Sequence, residues 1–138
     1  EISGLGTVTT PYGGSTNYES FHPALDVAAS IGTPFKSNVG GTVSEVVSGK
    51  SQNAKGGFGN YVMITDEYGN NHRYSHLNQS FVKVGQTIAA GTELGQVGNT
   101  GSTYSTSGGT GSHLDYRIRD AWGKYINPNK FLEKYSNL

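Results

Sequence analysis

Glycine recurs at short intervals along this chain, twenty-one times in 138 residues, and it borders segments in which apolar and polar side chains alternate. Such punctuation favours tight turns over long helices, and alternation sends successive side chains to opposite faces of a strand. The expected class is therefore all-β, built from short strands. Nine tyrosines beside a single methionine agree with that reading, because aromatic rings suit a pleated, half-buried surface. A chain of 138 residues can bury a real core but is short for two comfortable ones, so residues 1–138 are read as one domain.

Charge and cysteine content remove several functions. Ten basic residues balance ten acidic ones, which leaves no electrostatic footprint for nucleic acid or an anionic membrane. There is no cysteine, so disulfides and thiolate metal sites are excluded and any metal must be held by His, Asp or Glu. Cysteine absence suits an extracellular or virion protein as well as a cytosolic one. No stretch approaches the roughly 20 apolar residues of a membrane-spanning helix, so no membrane insertion is expected. The chain begins at Glu1 without a charged-then-apolar leader, which reads as a mature form or an excised domain.

Along the chain, a strand is expected at Thr42–Val47 and a hairpin from Tyr61–Thr65 and His72–Leu77, turning at Gly69 and Asn70. "STYSTSGGTGS" reads as a loop that delivers the chain to His113. At the end, Asn127 as N-cap and Pro128 at the first helical position predict a short helix over 127–136. Alternation in "GTGSHLDYRIRD" puts His113, Asp115 and Arg117 on one strand face and Leu114, Tyr116 and Ile118 on the other. By the same rule His72, Tyr74 and His76 share a face.

Of the four histidines, His22 stands four residues before Asp26 in "HPALD", and His113 stands two before Asp115. Either pair alone fits a surface hydrogen bond as well as a metal site. The order of longer motifs is more specific. "TTPYG", "FHPALDVAASIGTPFKSNVGGTVSEV", "GNYVMITDEYGNNHRYSHL", "VKVGQTIAAGTELGQVGNTGST" and "GSHLDYRI" follow one another over residues 7–132. In that order the chain resembles the M23 family of zinc metallopeptidases, the lysostaphin and LytM type that cuts peptide bonds of bacterial peptidoglycan.

The resemblance implies an antiparallel β-sheet and barrel-sandwich hybrid with a substrate groove and a short C-terminal helix. It makes His22 and Asp26 zinc ligands, and His76 and His113 the catalytic histidines. The family's third ligand is the second histidine of a His-x-His motif; here that position is Asp115. An aspartate can bind zinc at about 2.0–2.2 Å, but two aspartates cancel the ion's charge and lower its power to acidify water. The departure leaves open a slower zinc enzyme, a site preferring a harder ion such as manganese, and a metal-free scaffold.

The expected function is metal-dependent hydrolysis of peptidoglycan peptides at the cell wall or in a phage virion, in a larger lytic or virion protein. Its alternative is an inactive M23-like module that binds peptidoglycan, regulates other wall enzymes or serves as a structural piece of a phage tail. Tyr61, Tyr74 and His72 are candidates for the groove lining, with segments 12–21, 49–58 and 100–112 as its walls. The paired "GGTVSEV" and "GTELGQVG" segments resemble biotinyl and lipoyl carrier folds, which carry a modified lysine at a hairpin tip, but the tip between them offers no Met-Lys or Asp-Lys pair. If Asp115 is a ligand, Asp115→Ala is expected to lose the metal and Asp115→His to keep it. Metal content of the purified variants checks this, and full retention by Asp115→Ala removes Asp115 from the ligand set.

Overall fold

The computed structural model describes residues 8–10, 24–49, 57–100 and 113–136, so His22 and most of the expected groove walls lie outside the described residues. In chain order the elements are β1 (Val8–Thr10), β2 (Leu25–Ala28), β3 (Pro34–Lys36), β4 (Gly41–Val47), β5 (Tyr61–Thr65) and β6 (Asn71–Ser75). They continue with β7 (Leu77–Ser80), β8 (Thr87–Ile88), β9 (Glu93–Val97), β10 (His113–Arg119), β11 (Tyr125–Ile126) and the helix α1 (Pro128–Ser136). The larger sheet runs β1-β2-β10-β6-β5-β4-β8, with β11 also paired to β10. The smaller runs β3-β9-β7. The larger sheet stays open, so the hybrid expected from sequence is realised without a closed barrel.

Alternation decides which face is buried. In β10, Leu114, Tyr116 and Ile118 are fully buried, and their cross-strand neighbours on β6 include Tyr74 opposite Tyr116 and His72 opposite Ile118. β5 continues the same rows with Val62 opposite Tyr74 and Ile64 opposite His72. Phe35, Leu94 and Val97 of the smaller sheet join them in one hydrophobic cluster, where each fully buried large side chain contributes roughly 1.5–3 kcal/mol. The Phe35 ring stacks on Tyr74 at 5.4 Å between centroids and so ties the two sheets together.

The helix forms where its caps predict. The Asn129 amide donates to Asn127 Oδ1 at 3.0 Å, satisfying one of the first-turn donors, and Pro128 occupies the position that needs none. Phe131 then meets the His72 ring edge-on at 5.0 Å.

Two expected groove residues are thereby corrected. Tyr74 and His72 are 0% exposed and belong to the core, because they are inward positions of a strand whose inner face is covered by the smaller sheet and α1. Their expected companion His76 is turned away by a positive φ of 67° just after β6 ends. His72 Nε2 donates to Asp66 Oδ2 at 2.8 Å, and its Nδ1 accepts the Tyr116 hydroxyl at 2.7 Å. Burial outweighs the pull of Asp66 and holds the His72 pKa below the ordinary 6.5, so the ring is neutral at pH 7. Asp66 Oδ1 meanwhile accepts the Tyr68 and Asn70 amides, which shapes the β5–β6 turn.

His72→Ala would leave Asp66 and the Tyr116 hydroxyl without this partner in the core, and a loss of about 2–4 kcal/mol in urea unfolding is expected. The depressed folded pKa also sets a pH window. Its contribution is complete above 6.5 and is lost as pH falls below that value toward the folded pKa. The wild-type urea midpoint should therefore be lower at pH 5.5 than at 7.5, with part of that difference removed in His72→Ala.

Candidate active site

The strand register gathers the candidate residues on the outer face of the larger sheet. Asp115 of β10 lies between Asp26 of β2 and Ser75 of β6, and Ser75 in turn pairs with Tyr61 of β5. One row across four strands thus carries Asp26, Asp115, Ser75 and Tyr61. The next row on that face places Arg117 opposite Arg73. Directly opposed like charges on a sheet repel, so both rows need compensation.

Arg117 provides it for the carboxylates. Its Nε donates to Asp115 Oδ1 at 2.9 Å and its Nη2 to Asp115 Oδ2 at 3.0 Å, a two-pronged ion pair between groups on the same strand face. Burial raises the Asp115 pKa, but the bonds and charge of Arg117 outweigh it and hold the carboxyl below its usual value. The Phe58 ring centroid lies 3.6 Å from the Arg73 guanidinium carbon and 4.7 Å from that of Arg117, so one aromatic ring serves both cations.

His76 reaches this floor through its unusual backbone. A positive φ is costly for a residue with a Cβ, and it persists here because the surroundings hold it. The His76 amide donates to Phe58 O at 2.9 Å, and its Nδ1–H donates to Thr100 O at 2.6 Å. With Nδ1 carrying the proton, the Nε2 lone pair faces the site, 3.9 Å from Asp115 Oδ2. Burial, reinforced by His113 and only partly opposed by Asp115, keeps the His76 pKa below 6.5.

The stretch following β9 serves both histidines. Thr100 accepts from His76, and Gly98 O accepts the His113 amide at 3.3 Å. Gly98 also admits a close backbone crossing: a Cβ there would stand 2.5 Å from the Asn78 amide nitrogen and 2.8 Å from the Leu77 carbonyl carbon. His113 Nε2 lies 3.8 Å from Asp26 Oδ1, and the two imidazole centroids are 4.8 Å apart.

Of the residues expected from sequence, Asp26, His76, His113 and Asp115 are brought together, and Tyr61 lies half-buried on the same face. Sequence reasoning placed Arg117 on this face without giving it a partner; a spacing of two along a strand was the available signal. Phe58 and Thr100 fell within segments expected as groove walls, but neither their contacts here nor Ser75 had such a signal, since loop and cross-strand contacts position them.

The donor set fits a small divalent cation. Ligand atoms of His76, His113 and Asp115 lie within 4.8 Å of one another. The imidazole–carboxylate separations, 3.9 Å from His76 to Asp115 and 3.8 Å from His113 to Asp26, are too long for hydrogen bonds, so the imidazoles stand beside the carboxylates without closing on them. The buried Ser75 Oγ, beside Asp115, has no hydrogen-bond partner among the described residues, which marks a polar floor that welcomes a further ligand or its water. A separate recess of about 640 Å³ is bounded by residues including Ser48, Asn60, Asn78 and Lys83, and these histidines do not line it.

An open β-sheet bearing buried carboxylates under paired imidazoles defines a candidate metallohydrolase. The model of peptidase family M23 matches residues 20–128, and the chain belongs to that family. It is 36% identical over 109 residues to an uncharacterized metalloprotease of Haemophilus influenzae, covering 78% of this chain and 20% of the relative. It is 34% identical over 107 residues to the DD-carboxypeptidase/endopeptidase Mpg of Neisseria meningitidis, covering 78% of this chain and 22% of that protein. The chain thus spans about a fifth of these curated relatives. The catalytic domain of the antimicrobial peptidase lysostaphin from Staphylococcus simulans superposes with a TM-score of 0.67 at 30% identity, covering 93% of this chain and 90% of that one.

The His76 environment makes an observable prediction. In an NMR titration of the metal-free protein, its imidazole should change protonation below pH 6.5 and show the Nδ1–H form when neutral. A midpoint above 6.5, or an Nε2–H form, would contradict the orientation assigned to the ring.

Proposed function

We propose that this chain is a metal-dependent endopeptidase domain acting on peptide bonds of bacterial peptidoglycan. The observation that carries the reading is the convergence of His76, His113 and Asp115 within 4.8 Å, with Asp26 next to Asp115 in the sheet register. Membership in peptidase family M23 supports hydrolysis, and the relatives named metalloprotease and DD-carboxypeptidase/endopeptidase support the metal and the substrate class. In this reading Asp26 and Asp115 hold the ion together with His22, and zinc or manganese suits the donors. A bound ion supplies Lewis acidity toward the scissile carbonyl and acidifies the attacking water.

The chain's own residues do the rest. His76, neutral and with Nδ1–H fixed on Thr100 O, accepts the water's proton at Nε2. His113, on the other side of the floor, steadies the negative charge that develops on the carbonyl oxygen. Tyr61 lies on the same sheet face and offers an aromatic wall to the peptide. The His76 imidazole is anchored on a backbone carbonyl and the His113 main chain is held by Gly98 O, which supports the preorganisation such stabilisation requires.

One observation favours a second reading. The Arg117–Asp115 pair already balances the buried carboxylate, as a metal-free peptidoglycan-binding or regulatory module would require. Metal analysis combined with turnover separates the two. The enzyme should carry about one ion per chain and release new amino groups from purified peptidoglycan until a chelator is added. His113→Ala and His76→Ala should each lower that rate by about 10²-fold or more with metal content nearly unchanged. Metal-free protein that binds peptidoglycan but cleaves nothing would establish the module instead.

A further inference from the structure

Asp115 carries its own counter-ion. Both carboxylate oxygens accept from the Arg117 fork, and both residues are buried, at 2% and 8% exposure. The two-pronged pair engages one lone pair on each oxygen and leaves the second available, with Oδ2 facing the His76 Nε2 side. Arg117 is also held in place: Phe58 covers its guanidinium, and Arg73 opposite on β6 disfavours a swing away from the carboxylate.

The charge sum gives this pair a role. Asp26 and Asp115 together cancel a divalent ion, whereas a site with one aspartate and neutral imidazoles would stay one unit positive. Arg117 restores that unit. We propose that Asp115 and Arg117 act together as one neutral ligand, Arg117 weakening the carboxylate's hold on the ion while preserving the positive charge that polarises the substrate carbonyl. The proposal rests on the reading of Asp115 as a ligand. Arg117 is a positioning residue here, acting through Asp115 and not on the substrate.

The test measures zinc affinity by competition with a chromogenic chelator, on wild type, Arg117→Met and Arg117→Gln, with turnover of peptidoglycan at saturating zinc. Arg117→Gln keeps a hydrogen-bond donor and much of the packing, so it serves if Arg117→Met does not fold; circular dichroism and melting establish which variants do. Removing the cation should tighten zinc binding by about tenfold or more, as expected for a lost unit charge close to the ion, and lower kcat at saturation. A merely structural arginine would move stability without tightening affinity. Should wild type bind zinc and hydrolyse while the variants bind zinc no more tightly, this inference is overturned and the proposed function stands. Zinc uptake only by the variants would overturn both, because Asp115 paired with Arg117 would then not be a ligand in the native chain. No uptake by any of the three would overturn both.

Discussion

The placement of β10 between β2 and β6 is the constraint on which the rest depends. Its antiparallel register sends Leu114, Tyr116 and Ile118 into the core and aligns Asp115 with Asp26 and Ser75 on the other face. A slip of one residue would bury the aspartate and arginine among apolar side chains and expose the core residues, so the hydrophobic pattern and the site enforce the same pairing. Stability and chemistry are two faces of one strand. The cost of gathering like charges on the outer face is offset locally, by Arg117 for Asp115 and by the shared Phe58 ring for the two arginines.

His72 and His76 show why a buried histidine cannot be assigned a role from its electrostatics alone. Burial lowers the pKa of both. His72 has each ring nitrogen committed, to Asp66 and to Tyr116, and is packed against Phe131, so it stabilises the core. Among the described residues His76 commits only Nδ1, to Thr100, and presents Nε2 to a cluster of donors. What separates the two imidazoles is the partner of the second nitrogen. That partner is set by the left-handed backbone at His76, which ends the alternation begun at His72.

The smaller sheet contributes to the site without supplying its clustered donors. The chain leaving β9 passes Gly98 close against the Leu77–Asn78 backbone and then offers carbonyls of Gly98 and Thr100 to His113 and His76. The Thr100 hydroxyl donates to Leu77 O and accepts the Asn60 amide, which fixes the same corner to the start of β5. The segment leaving the smaller sheet therefore orients the His76 imidazole and holds the His113 main chain, and a rigid backbone carbonyl fixes the ring better than a long side chain would.

By itself the sequence determined the β class, the strands around Tyr61–Thr65 and His113–Arg119, the capped helix after Asn127, and the family. These follow from local alternation, turn residues and motif order, which act over a few residues or survive as a linear pattern. It also raised the expectation that Asp115 stands where the family keeps a histidine, and it put Arg117 on the same strand face. Only the tertiary structure decided that Arg117 closes on Asp115, that Phe58 shields the pair, and that Tyr74 and His72 serve the core. The reason is physical. Strand alternation names two faces but not which one will be covered, and a single positive φ at His76 reverses a side chain without leaving a mark that a period-two reading can detect.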